Sequence, residues 1–239
     1  MIGRRRRWDD AAQALSVSFL NVVTGVCAGI ALLLLVLLAL STCASPAYAA
    51  TPATVRIPEA SALYRIKLQR EVARHFGLDA PVARLAAQIH QESGWRADAR
   101  SPFANGLTQF TPATAKWLPE VCPSVGEPDP WDPDWSLRAI ACYDAWLHKR
   151  VVRLPGTALM PCSRWAFTLR AYNGGEGWLL RERRKAAAAG VNGNNWRAME
   201  PFRVRAGWAH RENTDYPRRI LQRIEPAYVA AGWPGGDAC

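Results

Sequence analysis

Zinc-type spacings are missing from this sequence: its 6 cysteines and 4 histidines form neither a Cys-x-x-Cys nor a His-x-x-x-His pattern. The usual zinc sites are thereby excluded, and no metal and no cofactor is expected. Beyond a short extended stretch, Thr51 to Pro58, no run alternates with period two strongly enough to be read as a strand, which argues against a sandwich or barrel. No internal repeat recurs, which excludes solenoids and propellers. Acidic residues are scarce, 20 against 30 Lys and Arg, for a net charge of +10. That balance favours anionic partners: nucleic acid, anionic lipid or a polyanionic cell wall. At 49% hydrophobic the chain is not broadly disordered. Its 239 residues suffice for one well-filled domain and a modest appendage.

The appendage comes first. Arg4 to Arg7 form a basic run, and Val17 to Leu40 follow without a charge, nearly pure Ala, Ile, Leu and Val from Ala28 onward. As a helix such a segment spans a bilayer, its basic end in the cytoplasm and the remainder outside. Two readings of residues 1–49 stand. One is a signal peptide cut after Ala47-Tyr48-Ala49, so that the mature chain begins at Ala50; the other is a signal anchor retained in the cytoplasmic membrane. A lipoprotein box at Leu40 to Cys43 fits less well, because Thr42 precedes the cysteine. In each case residues 50–239 are expected outside the cytoplasm, in the periplasm or cell envelope. They keep a charge of +8 once the leader's four Arg and two Asp are set aside.

Cysteine usage fits export. Cys27 and Cys43 lie in or beside the apolar segment, and Cys122, Cys142, Cys162 and Cys239 form an even set suited to an oxidising compartment. Three pairings of those four are open. Helix and loop account for the rest. Glu59 to Phe76 reads as a helix stopped by Gly77, and Asp79 as the cap of a second helix with Pro81 in its first turn. Val82, Leu85, Ala86 and Ile89 give that second helix an apolar face. Thr111-Pro112 opens a short helix, and a proline-rich loop runs from Glu120 to Pro133. Asp134 is expected to cap a helix through Arg150, with further helices over Ser163–Ala171, Glu176–Ala189 and Thr214–Ala230. The fold class is mainly α.

The second helix ends Gln88-Ile89-His90-Gln91-Glu92-Ser93-Gly94-Trp95. Glu92 sits three residues after Ile89 and seven after Leu85, at the edge of the apolar stripe. A carboxyl there is partly desolvated, which disfavours its charged form and raises its pKa, as a general acid near neutral pH requires. Taken alone, a glutamate at a helix end is more often simply solvated. Its company changes that. In chain order come Gly106-Leu107-Thr108-Gln109-Phe110, Ala171-Tyr172-Asn173-Gly174-Gly175, and Glu212-Asn213-Thr214-Asp215-Tyr216-Pro217-Arg218-Arg219-Ile220.

This set resembles the catalytic domain of the soluble lytic transglycosylase (SLT) family, lysozyme-like enzymes of the goose-type kind that cut peptidoglycan. The likeness covers roughly Leu63 to Tyr228. It implies that Glu92 is the sole acid/base, that Ser93 supports it, and that Ser101 lines the cleft. Gly106, Leu107 and Gln109 would form the cleft floor, Tyr172 and Asn173 would approach the reacting sugar, and Glu212 and Tyr216 would bind hydroxyls or orient neighbours. Tyr216 as a core aromatic and Asn173-Gly174-Gly175 as a plain helix stop remain open. The sequence departs from the family's pattern in three places: Thr108 stands where Met is usual, the loop from Glu92 to Gly106 is one residue short, and Pro217 follows Tyr216.

The resemblance implies cleavage of the β-1,4 bond between N-acetylmuramic acid and N-acetylglucosamine, leaving 1,6-anhydro ends, with peptidoglycan glycan strands as the partner. A two-carboxylate glycosidase needs a second acid flanking the bond, and between Glu92 and Gly106 only Asp98 is available. A hydrolytic muramidase on the same fold is the first rival. A basic module binding wall polymer or nucleic acid is the second, suggested by Arg181-Glu182-Arg183-Arg184-Lys185. Such a run is more often a solvated helix face, and no nucleic acid is expected.

Overall fold

Apolar side chains at helical spacing and well-placed stops become eight α-helices in the computed structural model, which describes residues 55–236 and 239. They are α1 (Ser61–Phe76), α2 (Val82–Ser93), α3 (Pro112–Trp117), α4 (Pro133–Arg150), α5 (Pro161–Gly174), α6 (Glu176–Ala188), α7 (Gly207–Arg218) and α8 (Glu225–Ala230). A π-helical turn, Arg219–Ile224, joins α7 to α8. No strand forms among the described residues; two isolated bridges, Arg100 with Asn105 and Asn105 with Phe110, pin one loop. The molecule is therefore mainly α, as expected. No helix among the described residues is long and apolar enough to cross a membrane. The Val17–Leu40 run, its cleavage or retention, and Cys27 and Cys43 lie outside the described residues.

Helix boundaries depart from the sequence reading where capping chemistry is local. Asp79 lies in a tight 3-10 turn and makes no cap; Pro81 itself precedes α2. Asp132, not Asp134, caps α4, accepting from the amides of Asp134 and Trp135 at 3.0 Å, with Pro133 in the first turn. The last helical stretch starts at Gly207 rather than Thr214, because Pro217 is tolerated inside α7 and the π turn absorbs its break.

α2 runs through the middle of the fold. It packs against α1, α8 and the π turn, while α4 packs on α1 and α5, and α5 on α6 and α7. Burial therefore surrounds α2: Val82, Leu85, Ala86 and Ile89 are fully enclosed, but so are Arg84 and Gln88. Each large apolar side chain so enclosed contributes about 1.5–3 kcal/mol. The buried polar groups find partners, Arg84 with Glu225 at 2.8 Å and Gln88 with Asp144 at 3.5 Å. A smaller core of Phe110, Leu118, Val125 and Trp135 supports the loops between α2 and α4, closed by the disulfide Cys122–Cys142. A second disulfide, Cys162–Cys239, ties the C-terminal residue to the start of α5.

The run Arg181 to Lys185 is not a solvated face. Arg181, Arg184 and Lys185 are exposed, but Glu182 and Arg183 are buried. Glu182 accepts from Arg170 at 2.6 Å, from Arg205 at 3.1 Å and from His210 at 3.0 Å, while Arg183 donates to the carbonyls of Gly193 and Val152 at 2.9 Å. Alternating burial along α6 splits the charges between core and water.

Candidate active site

Glu92 occupies the last turn of α2, which Gly94 ends in the left-handed conformation (φ 62°), its amide bonded to the His90 carbonyl at 2.9 Å. Three elements close around it. The first is the loop after α2. Ser93 is buried and donates to the Leu107 carbonyl at 2.7 Å, which ties the loop to the helix beneath Glu92. Gly106 (φ 74°) passes so close to Pro130 that a Cβ would lie 1.7 Å from its carbonyl oxygen. Only glycine fits there. Gln109 also takes a positive φ, 51°, held by bonds from its side-chain amide to the carbonyls of Gly106 at 2.9 Å and Ala99 at 3.2 Å. Ser101 accepts from the amides of Ala104 at 2.9 Å and Phe103 at 3.3 Å, fixing the outer lip.

The end of α5 and the α7–π-turn element supply the other walls. Tyr172 donates to the Thr108 carbonyl at 2.7 Å, joining α5 to the loop. Asn173 accepts from the buried Asn213 at 3.0 Å. Tyr216, fully enclosed, donates its hydroxyl to Glu92 Oε1. A cleft of about 460 Å³ results, lined by Glu92, Ser101, Gln109, Tyr172, Asn173, Glu212 and Tyr216.

The structure thus brings together seven of the ten residues singled out from the sequence. Ser93, Gly106 and Leu107 stand behind the surface: Leu107 is fully buried, Ser93 bonds its carbonyl, and Gly106 allows the loop to pass Pro130. Asn173 both lines the cleft and precedes a helix stop at Gly175 (φ 88°). Gln91, Phe103, Thr111, Thr114, Tyr143 and Arg219 also line the cleft without having been foreseen. Nothing in the sequence separates Arg219 from its neighbour Arg218, yet Arg219 faces the cleft while Arg218 pairs with Glu200. Asp98 is exposed and does not line the cleft.

Electrostatics single out Glu92. Burial pushes its carboxyl up to about 7; the Tyr216 hydroxyl holds it down, the Glu212 carboxylate pushes up, and Arg219 holds down. Tyr172 and Tyr216 are raised well above the ordinary phenol value, chiefly by burial and then by the charge of Glu92, so both stay protonated as donors. Deeper in the core, burial raises Asp144 to about 8. A half-buried carboxyl poised near neutrality can both give and take a proton, and Glu92 is the poised group that opens onto the cleft. Among the described residues no group of His, Cys, Asp and Glu is arranged to hold a metal ion.

The sequence matches the family model described as Transglycosylase SLT domain over residues 71–194. Among curated proteins it is 36% identical over 113 residues to membrane-bound lytic murein transglycosylase F of Pasteurella multocida (strain Pm70), covering 47% of this chain and 21% of that protein. It is 36% identical over 122 residues to membrane-bound lytic murein transglycosylase F 2 of Alkalilimnicola ehrlichii, covering 51% of this chain and 25% of that one. The corresponding protein of Shewanella sediminis is 33% identical over 132 residues, covering 55% and 25%. The chain spans about a fifth to a quarter of the length of these relatives. Glu92, the loop to Gln109 and the Tyr172–Asn173 pair all fall within the family match, while Glu212 and Tyr216 lie beyond its end. With that match extending over more than half of its residues, the chain belongs to the transglycosylase SLT domain family.

Proposed function

We propose that this protein is a peptidoglycan lytic transglycosylase of lysozyme-like fold, with Glu92 as its single acid/base. The observation that carries the reading is the half-buried Glu92 carboxyl, raised to about 7 and held by Tyr216 in an open cleft. Protonated Glu92 gives its proton to the oxygen between N-acetylmuramic acid and N-acetylglucosamine. The neighbouring acetamido oxygen stabilises the anomeric carbon as the bond breaks. Glu92, now a carboxylate, takes the proton from the C6 hydroxyl, whose oxygen closes onto C1 and leaves a 1,6-anhydromuramoyl end. Water is not consumed. Arg219 and Tyr216 favour the carboxylate that this second half needs, and burial favours the acid that the first half needs. Gln109, Tyr172, Asn173 and Glu212 would bind sugar groups along the cleft, with Ser101 at its lip. Ser93, Gly106 and Leu107 would hold the floor in place from behind.

The glycan strand is the partner in this reading, and the names of the relatives, membrane-bound lytic murein transglycosylases, support an envelope location. Residues 1–49 then serve as signal peptide or membrane anchor, and residues 50–239 as the catalytic domain, whose +8 charge suits an anionic wall. Mass spectrometry of fragments released from purified wall tests the chemistry. Anhydro ends from wild type and none from Glu92→Gln are expected; reducing ends would refute the lyase. Hydrolysis is the second reading, favoured by one observation: Glu212 shares the cleft with Glu92 and could act as the base for water. Reducing ends that vanish in Glu212→Gln would select it.

A further inference from the structure

Five tryptophans, Trp95, Trp135, Trp165, Trp196 and Trp233, are buried in the described fold, yet Trp208 is 69% exposed and Trp178 41% exposed. Leaving two indoles in water costs the burial each would otherwise contribute. Both line one cavity of about 380 Å³ between α6 and α7, together with Asn173, Gly174, Arg205 and Glu212. Asn173 and Glu212 also line the cleft around Glu92, so the two hollows adjoin at these residues.

The walls of this second hollow are held firmly. Arg205 is nearly buried, pairs with Glu182 at 3.1 Å and donates to the Gly174 carbonyl at 3.3 Å. Arg181 lies over the Trp178 ring at 3.9 Å from its centroid. Among the described residues no ring or guanidinium stacks on Trp208. An exposed, unstacked indole beside fixed polar groups suits a flat ligand with one apolar face and hydroxyl or amide edges. A pyranose ring has that form.

We propose that Trp208, with Trp178 as the second wall, forms an outer saccharide subsite that takes an N-acetylhexosamine unit of the glycan strand beyond the pair at Glu92. This rests on the glycan reading of the cleft. Its consequence is length dependence: a strand long enough to reach Trp208 binds more tightly than one that fills only the cleft.

Calorimetric titration of N-acetylglucosamine trimer and hexamer into the full chain carrying Glu92→Gln tests this. The hexamer is expected to bind about tenfold more tightly than the trimer, the gain from covering roughly 50–60 Å² of apolar surface. Adding Trp208→Ala should abolish that gain and Trp208→Phe should restore most of it. Circular dichroism of these surface variants should match the parent. Equal affinity for trimer and hexamer in the parent, or a gain that survives Trp208→Ala, overturns the subsite. Binding of a single-stranded oligonucleotide that is lost in Trp208→Ala, without saccharide binding, also overturns it in favour of a nucleic-acid surface. Product analysis of the wild type decides the lyase reading separately, because the titration needs no turnover.

Discussion

Replacing Tyr216 by Phe removes one hydroxyl and keeps the ring that α7 buries. That hydroxyl donates to Glu92 Oε1 and is the largest influence holding the raised carboxyl down. A hydrogen bond to a charged group contributes about 1.5–3 kcal/mol, which at 1.36 kcal/mol per pKa unit is roughly one to two units. With wild-type Glu92 at about 7, the variant's carboxyl should therefore ionise near 8–9, by that conversion. The sign follows from which form loses more: the carboxylate accepts this bond more strongly than the carbonyl oxygen of the acid does, so its loss favours the acid. Since the acid starts the reaction, the alkaline limb of kcat/KM moves up by the same one to two units. The profile is read on purified glycan strands from pH 5 to 10, with Glu92→Gln as the baseline. Above pH 8 the variant should keep a larger fraction of its own maximal rate than wild type does. A limb that stays at its wild-type position, or moves down, would refute the assignment of Tyr216 as the donor that tunes Glu92.

Glu92→Gln should lower turnover about 10²–10⁴-fold or more, the usual contribution of a general acid/base. It should also change stability with pH. The folded pKa of about 7 lies above the ordinary 4.5, so wild type loses stability as pH rises through that window, whereas glutamine does not titrate. The variant should accordingly gain about 3 kcal/mol on wild type between pH 4 and pH 8, read by denaturant titration; no change across that range would contradict the burial. Glu182→Ala strands Arg170 in the core without its counter-charge, and a loss of about 3–5 kcal/mol is expected in urea melts. Replacing both Cys122 and Cys142 by Ser opens a crosslink between residues 20 apart, with an expected loss of about 3 kcal/mol. A melting temperature in the double variant equal to wild type would count against any stabilising role for that bridge.

Helical periodicity and stop signals made much of this fold legible in advance. α1 ends at Gly77 and α3 begins after Thr111 because glycine and threonine act on the backbone within one turn. The cap of α4 falls on Asp132 rather than Asp134 because Asp129, Asp132 and Asp134 crowd one boundary and only the path of the chain chooses among them, whereas Asp79 is taken up by a 3-10 turn and Pro81 precedes α2. The π turn was not legible at all. Glu92 stood out because its spacing from Leu85 and Ile89 is local information. Its raised pKa needed more: the enclosing Tyr216 lies 124 residues away, and no spacing reports such a meeting.

By itself, then, the sequence determined the helical class, the edge position of Glu92 and the ordered motifs around it. These depend on periodicity and on neighbours along the chain. Tertiary structure alone decided the pairing Cys122–Cys142 and Cys162–Cys239, the sinking of Glu182 and Arg183 into the core, and the turning of Arg219 into the cleft. It also decided that Ser93, Gly106 and Leu107 support the cleft rather than line it. Each of those outcomes depends on which surfaces exclude water together, and that is set by packing between segments far apart in the chain.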